Sequence, residues 1–205
     1  MKSCYFLITP DCNLRCRYCF QRDDVLSEKN KPIHNVVADH QTIDQFTLFC
    51  IKNKITRVEF FGGEPLLYRD NFLYAAQALI DQVPGIKLGI VTNGTLIDEK
   101  VMRLFEKEEI SVLLSLDGDR TRHNLMRGGF DHISPWFGRL VARGRTGVAM
   151  QVSVVESLAQ NIRFIWNLGF SSVYLNIIQT YNWYNEDDLN RFEMEYEDAF
   201  NAMLV

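Results

Sequence analysis

No stretch of this sequence is apolar for long enough to cross a bilayer. The first apolar run, inside MKSCYFLITPD, is about five residues, too short for a membrane span or a secretory core. This predicts a soluble, cytoplasmic protein with no membrane partner. An excess of basic charge is also missing: 22 Lys and Arg stand against 26 Asp and Glu, a net charge of -4. Without a broad cationic face, nucleic acid is not expected as a partner. No low-complexity segment and no Pro- or Ser-rich linker divides the chain, so its 205 residues read as one domain over 1–205. Cysteine is sparse, five in all, yet three of the five fall within DCNLRCRYCF as Cys12, Cys16 and Cys19.

What is present is a regular alternation. Short apolar runs occur at 4–9, 57–62, 87–93, 111–117, 149–155 and 172–178. They are nearly continuous in hydrophobicity, as strands buried on both faces are. Helical patterns lie between them, near 40–53, 70–82, 98–108, 132–143, 159–167 and 186–204. Six βα units in series predict an α/β fold with parallel strands and right-handed crossovers. That is a partial (β/α)6 barrel of the TIM type, with a flat doubly wound sheet as the alternative. The longest irregular region, about 10–39, follows the first strand and carries the cysteines. A loop of that length in a compact domain points to function or disorder.

Three clustered cysteines cannot satisfy themselves by pairing, and in a reducing compartment they read as metal ligands. Thiolates suit zinc, copper(I) and iron–sulfur clusters. A structural zinc site wants four ligands; His34 or His40 stays open as the fourth, with no paired spacing to support either. Three thiolates on a 4Fe–4S cubane would leave one iron open. Cys4 and Cys50 read as core residues, and His34, His40 and His132 as surface or capping residues. Tyr181, Trp183 and Tyr184 read as packing for the last helix or the lining of a substrate mouth.

The spacing Cys-x3-Cys-x2-Cys, with Tyr18 before the third cysteine, resembles the signature of the radical S-adenosylmethionine (SAM) enzymes. Three further segments strengthen the resemblance: GGEP (62–65), TNGT (92–95) and SLDG (115–118), each ending a strand candidate. Active sites of βα proteins gather at such ends. The sequence SLDGDRTRHNLMRGG is similar to the peptide- and protein-modifying branch, the sulfatase-maturation and SPASM-type enzymes. It departs at Asp119, where proline is common, and at Asn124, where aspartate is common. No C-terminal cysteine cluster is present, so either a minimal enzyme or a fragment of a longer chain is expected.

The resemblance implies one 4Fe–4S cluster held by Cys12, Cys16 and Cys19, with SAM chelating the fourth iron. It implies reductive cleavage of SAM to a 5′-deoxyadenosyl radical that abstracts hydrogen, on a peptide or protein side chain. An electron donor such as a flavodoxin or ferredoxin would be the partner. Tyr18 and Phe20 are expected to shield the cluster and approach the adenine. Gly62, Gly63 and Glu64 are expected at the methionyl ammonium, and Ser115 and Asp117 at the ribose or carboxylate. Arg127 suits the SAM carboxylate. Asn93 and Ser153 are further polar strand-end candidates, and Asn176 and Ile177 are expected beside the adenine. Blander readings stand beside these: a tight βα turn for Gly62 and Gly63, a helix cap for Ser115 and Asp117, a surface pairing for Arg127. Two other functions stay open, a small-molecule or nucleoside substrate and a noncatalytic cluster-binding partner.

Overall fold

A computed structural model describes residues 2–19, 36–152, 158–178 and 186–203. Six strands follow one another in the order β1-β2-β3-β4-β5-β6. They are β1 Ser3–Leu7, β2 Arg57–Phe61, β3 Lys87–Thr92, β4 Ser111–Ser115, β5 Thr146–Val152 and β6 Val173–Ile177. The helices are α1 His40–Asn53, α2 Arg69–Gln82, α3 Glu99–Lys107, α4 Arg120–Met126, α5 Phe130–Ile133, α6 Phe137–Ala142, α7 Leu158–Asn167 and α8 Glu186–Met203. Two compact units form. The first holds Met1–Asn13 and Gln21–Leu113, and the second Leu14–Phe20 and Leu114–Val205. The division falls inside β4, and it also falls between Cys12 and Cys16.

In the first unit β1, β2 and β3 pair in parallel. The row Phe6–Phe60–Ile90 is buried. Phe60 meets Phe72 of α2 edge-on at 5.0 Å, Phe72 meets Phe105 of α3 at 6.3 Å, and Phe6 stacks on Phe46 of α1 at 4.1 Å. Large rings at alternate strand positions therefore tie the helices to one face of the sheet. The next row, Tyr5–Glu59–Gly89, lies on the other face, and Tyr5 is 69% exposed. The expectation of strands buried on both faces is thus corrected for β1, where Leu7 is also exposed. A β-carbon on Gly89 would sit 2.1 Å from the Glu59 carboxylate, so the glycine clears space for that side chain.

Local chemistry sets the helix ends. Asp39 accepts from the Thr42 amide at 2.8 Å and starts α1. Lys54 stops it in the left-handed region, φ 53 and ψ 47, which any residue other than glycine adopts at some cost. Asp98 caps α3 through the Val101 amide at 2.9 Å.

In the second unit β5 and β6 pair in parallel, Val148 opposite Val173 and Gln151 opposite Asn176. Val148, Met150 and Val152 are buried, as are Leu158, Ile162 and Ile165 of α7. The helix expected over 132–143 is broken into α5, a 3-10 turn at Ser134–Trp136 and α6. Pro135 lacks the amide that a continuous helix needs there. Asp119 accepts from the Arg122 amide at 2.9 Å and caps α4, a helix the apolar pattern did not announce. Asn124 Oδ1 accepts from the Phe130 amide at 3.0 Å and so starts α5. The two departures from the family pattern therefore have local structural roles. Among the described residues, no helix is long and apolar enough to cross a membrane.

Candidate functional site

The strand ends of the first unit form one braced platform. Beyond β1 the chain runs Thr9-Pro10-Asp11-Cys12-Asn13, and the loop after β2 docks on it. Gly63 donates its amide to the Thr9 carbonyl at 3.0 Å, and Glu64 donates to the Asp11 carbonyl at 2.8 Å. Both glycines are required by this docking. A β-carbon on Gly62 (φ +139) would lie 2.4 Å from the Thr9 carbonyl oxygen, and one on Gly63 2.1 Å from that of Asp11. The close approach they permit is to the protein's own backbone.

Glu64 has no exposed surface. Its Oε1 accepts from the Leu66 amide at 3.0 Å and the Thr92 hydroxyl at 2.7 Å, and its Oε2 accepts from the Asn93 amide at 2.8 Å. Burial pushes its carboxyl pKa up, against the pull of these three donors. This carboxylate, expected at a ligand ammonium, ties the end of β2 to the end of β3. Asn93 sits at that second end and is buried. Its Oδ1 accepts from the Thr95 amide at 2.9 Å, while its Nδ2 donates to Asn13 Oδ1 at 2.9 Å and approaches Cys12 Sγ at 3.8 Å. Asn13 in turn donates to the Thr95 hydroxyl at 2.8 Å. Asn93 is thus brought to a proposed ligand. Asn13 was missed, because nothing in its spacing distinguishes it from its neighbours in the cysteine loop. Cys12 itself is exposed.

The second unit holds Leu14–Phe20. Cys16 and Tyr18 are buried with Met126 and Ile178, and Leu14 and Cys19 pack against them. The Cys19 amide donates to the Cys16 carbonyl at 3.1 Å, closing a turn, and the Arg17 amide donates to the Met126 carbonyl at 2.9 Å. The cysteine segment is therefore pinned along the end of α4.

Beside it lies a buried ionic network. Asp117, with no exposed surface, accepts from Arg127 Nε at 2.9 Å and from the Tyr18 hydroxyl, both on Oδ2. Its Oδ1 accepts from the Gln151 amide at 3.0 Å. The Arg127 guanidinium also lies 5.1 Å from the centre of the Tyr18 ring. Burial raises the Tyr18 phenol pKa, with Asp117 adding to it and Arg127 opposing it. Asp117 and Arg127, both expected at SAM, are paired with each other. His123 is fully buried, its Nδ1 accepting from the Asp117 amide at 3.3 Å. Burial lowers its pKa to about 4, so the ring is neutral. Gly118 (φ +131) leaves room for Asn161, whose Oδ1 a β-carbon would meet at 2.0 Å.

Ser115 is half-buried at the end of β4, and Asn176 is exposed on β6 opposite Gln151. Ile177 pairs with Val152 through the backbone. Phe20, Ser153, His34, Tyr181, Trp183 and Tyr184 lie outside the described residues. His40 stacks on Tyr74 at 3.9 Å at the start of α1, and His132 is exposed. Cys50 is buried in α1 and Cys4 is half-buried in β1. Burial pushes the Cys50 thiol up to about 12 and also raises Cys4, as core cysteines behave.

The profile of the Radical SAM superfamily matches residues 6–144. The chain belongs to the radical SAM superfamily, a family of enzymes. It is 25% identical over 203 residues to the radical SAM cyclopropyl synthase TigE of Paramaledivibacter caminithermalis, covering 91% of this chain and 38% of that one. It is 28% identical over 200 residues to the GTP 3′,8-cyclase of Alkaliphilus metalliredigens, covering 97% of this chain and 53% of that one. Among solved structures, native anSMEcpe with bound AdoMet superposes with a TM-score of 0.78 at 20% identity, over 98% of this chain and 62% of that one. The same protein is also solved with AdoMet and a peptide, Kp18Cys, at a TM-score of 0.71. The chain thus spans between about two fifths and three fifths of the length of these relatives. The likeness shows the fold, a partial TIM-type barrel as the βα series predicted.

The cofactors of the family are a 4Fe–4S cluster and SAM. The donor set suits them: all five cysteines are free thiols, and thiolates are the ligands iron–sulfur clusters take. Among the described residues no three His, Cys, Asp or Glu side chains stand together around one ion. Thiolates that each bind a different iron of a cubane need not converge on one point.

Proposed function

We propose that this chain is the catalytic core of a radical SAM enzyme that modifies a peptide or protein side chain, with Cys12, Cys16 and Cys19 as the cluster ligands. The observation that carries the reading is the placement of Cys12, the first cysteine of the motif, on the same braced strand ends as GGEP and TNGT. Such a cluster, when bound, supplies one electron to the sulfonium of SAM. The rest of the work belongs to the protein. The backbone of Gly62–Glu64, held rigid by the Glu64 carboxylate, lines the methionine end. Asn93 orients Cys12. Ser115 and Asn176 are the strand-end residues offered to the nucleoside. Asp117 and Arg127 hold the segment that carries Cys16 and Cys19. Protein of this kind binds, orients and excludes water, and leaves the bond cleavage to the cofactor.

The peptide substrate is supported by the solved relative that carries one and by the sequence similarity of the SLDG segment to that branch. A nucleotide substrate is the second reading, favoured by the GTP 3′,8-cyclase relative, whose match covers 97% of this chain. A flavodoxin or ferredoxin is the electron donor that this chemistry calls for. Five free thiols suit a reducing compartment such as the cytoplasm.

The test is anaerobic reconstitution with iron and sulfide, followed by SAM and dithionite. Release of 5′-deoxyadenosine is expected, and Cys16→Ala is expected to abolish both the brown colour and the release. A colourless protein, or one that leaves SAM intact, overturns the enzyme reading. A mass change in a peptide pool against consumption of GTP separates the two substrates.

A further inference from the structure

The Asp117–Arg127 pair is a costly arrangement for a purely structural purpose. Two charges are taken out of water, and breaking such a pair from either side leaves an uncompensated charge. Apolar residues of similar size would pack α4 against the end of β4 as well. What distinguishes this pair is its neighbour. Arg127 lies over the ring of Tyr18 at 5.1 Å, and the backbone of Arg17 is bonded to that of Met126 at 2.9 Å. The guanidinium is therefore held against the segment that bears Cys16 and Cys19, and Cys16 interacts with it electrostatically. The carboxylate is also held by the Gln151 amide, on Oδ1 at 3.0 Å. Both members of the pair thus touch the cysteine segment through Tyr18, the guanidinium at its ring and the carboxylate at its hydroxyl.

We propose that Arg127 sets the reduction potential of the iron–sulfur cluster, and that Asp117 limits how far it does so. The inference rests on the cluster reading given above. Each cluster reduction adds one negative charge, and a nearby buried cation favours that state. Asp117 cancels part of that field, and the Tyr18 hydroxyl helps to fix the carboxylate in place. Arg127 is in this sense a positioning and tuning residue, acting through the cysteine segment rather than on a substrate.

The test uses the reconstituted protein and a redox titration followed by visible absorbance and electron paramagnetic resonance, with iron counted per chain. Asp117→Asn leaves the cation uncancelled and is expected to raise the midpoint potential. Arg127→Gln removes the cation and is expected to lower it. The double variant is expected to return toward the parent, and Arg127→Lys, which keeps the charge, to stay near it. If Arg127→Gln fails to fold, a raised midpoint in Asp117→Asn beside an unchanged one in Arg127→Lys still decides. Equal iron loading with no shift, or shifts of the same sign in both single variants, overturns the proposal. Parent protein that takes up no cluster overturns the cluster reading and this one with it.

Discussion

Glu64 and His123 are two buried titratable side chains with different roles. Glu64 serves three donors, so its replacement leaves two amides and a hydroxyl without a partner in a dry place. Glu64→Ala is expected to destabilise the fold by about 3 kcal/mol, read from the urea midpoint. Glu64→Gln keeps the shape and should lose less. From sequence, Glu64 was legible as important and illegible as to purpose. Its partners lie 28 and 29 residues away, at Thr92 and Asn93, and no local pattern records which backbone amides come near it. His123 titrates near 6.5 when unfolded and near 4 when folded, because burial disfavours its cation. Above 6.5 both states are neutral and the fold is fully stable in this respect. As pH falls through 6.5 the unfolded chain takes up a proton that the folded chain refuses, and stability declines until about 4. The loss approaches about 3 kcal/mol. His123→Gln should flatten that slope in unfolding curves taken between pH 7 and 4.

At the scale of elements, the series of strands and helices was readable because apolar runs and helical stripes alternate without interruption. Errors fell where one residue outvotes the pattern. Pro135 broke a helix that periodicity had joined, and Asp119 began one that periodicity had not shown. The end of α1 offers a direct check of such single-residue control. Lys54 holds a left-handed conformation that disfavours a β-carbon. Lys54→Gly is expected to stabilise the fold by about 0.5–1 kcal/mol, visible as a raised thermal midpoint. The reverse change at the start of the same helix, Asp39→Ala, removes its cap and should lose about 1 kcal/mol.

For the whole molecule, the cysteines are the natural reporters. Cys50 is buried, with its thiol pushed up to about 12, and Cys12 is exposed. In folded protein at pH 8, a thiol reagent is expected to label Cys12 rapidly and Cys50 hardly at all, as peptide mapping would show. A ligand that binds the folded chain alone also stabilises it. Loading with iron and sulfide should therefore raise the thermal midpoint, and a chelator should reverse the gain. Cys16→Ala should show neither effect. The candidate site was legible as a set of strand ends, since glycines, cysteines and short polar motifs recur there. Which of those residues face a ligand, and which hold the others in place, depends on packing that spans the chain.

The glycine pair at 62 and 63 carries a consequence for how such sequences diverge. Each is crowded by a carbonyl of its own chain, at Thr9 and at Asp11. A library randomised at these two positions and selected for soluble folding alone, with neither SAM nor any substrate present, should already return glycine. The most recognisable letters of the motif would then persist in descendants that had lost the chemistry altogether, so their retention is a record of ancestry before it is a record of activity.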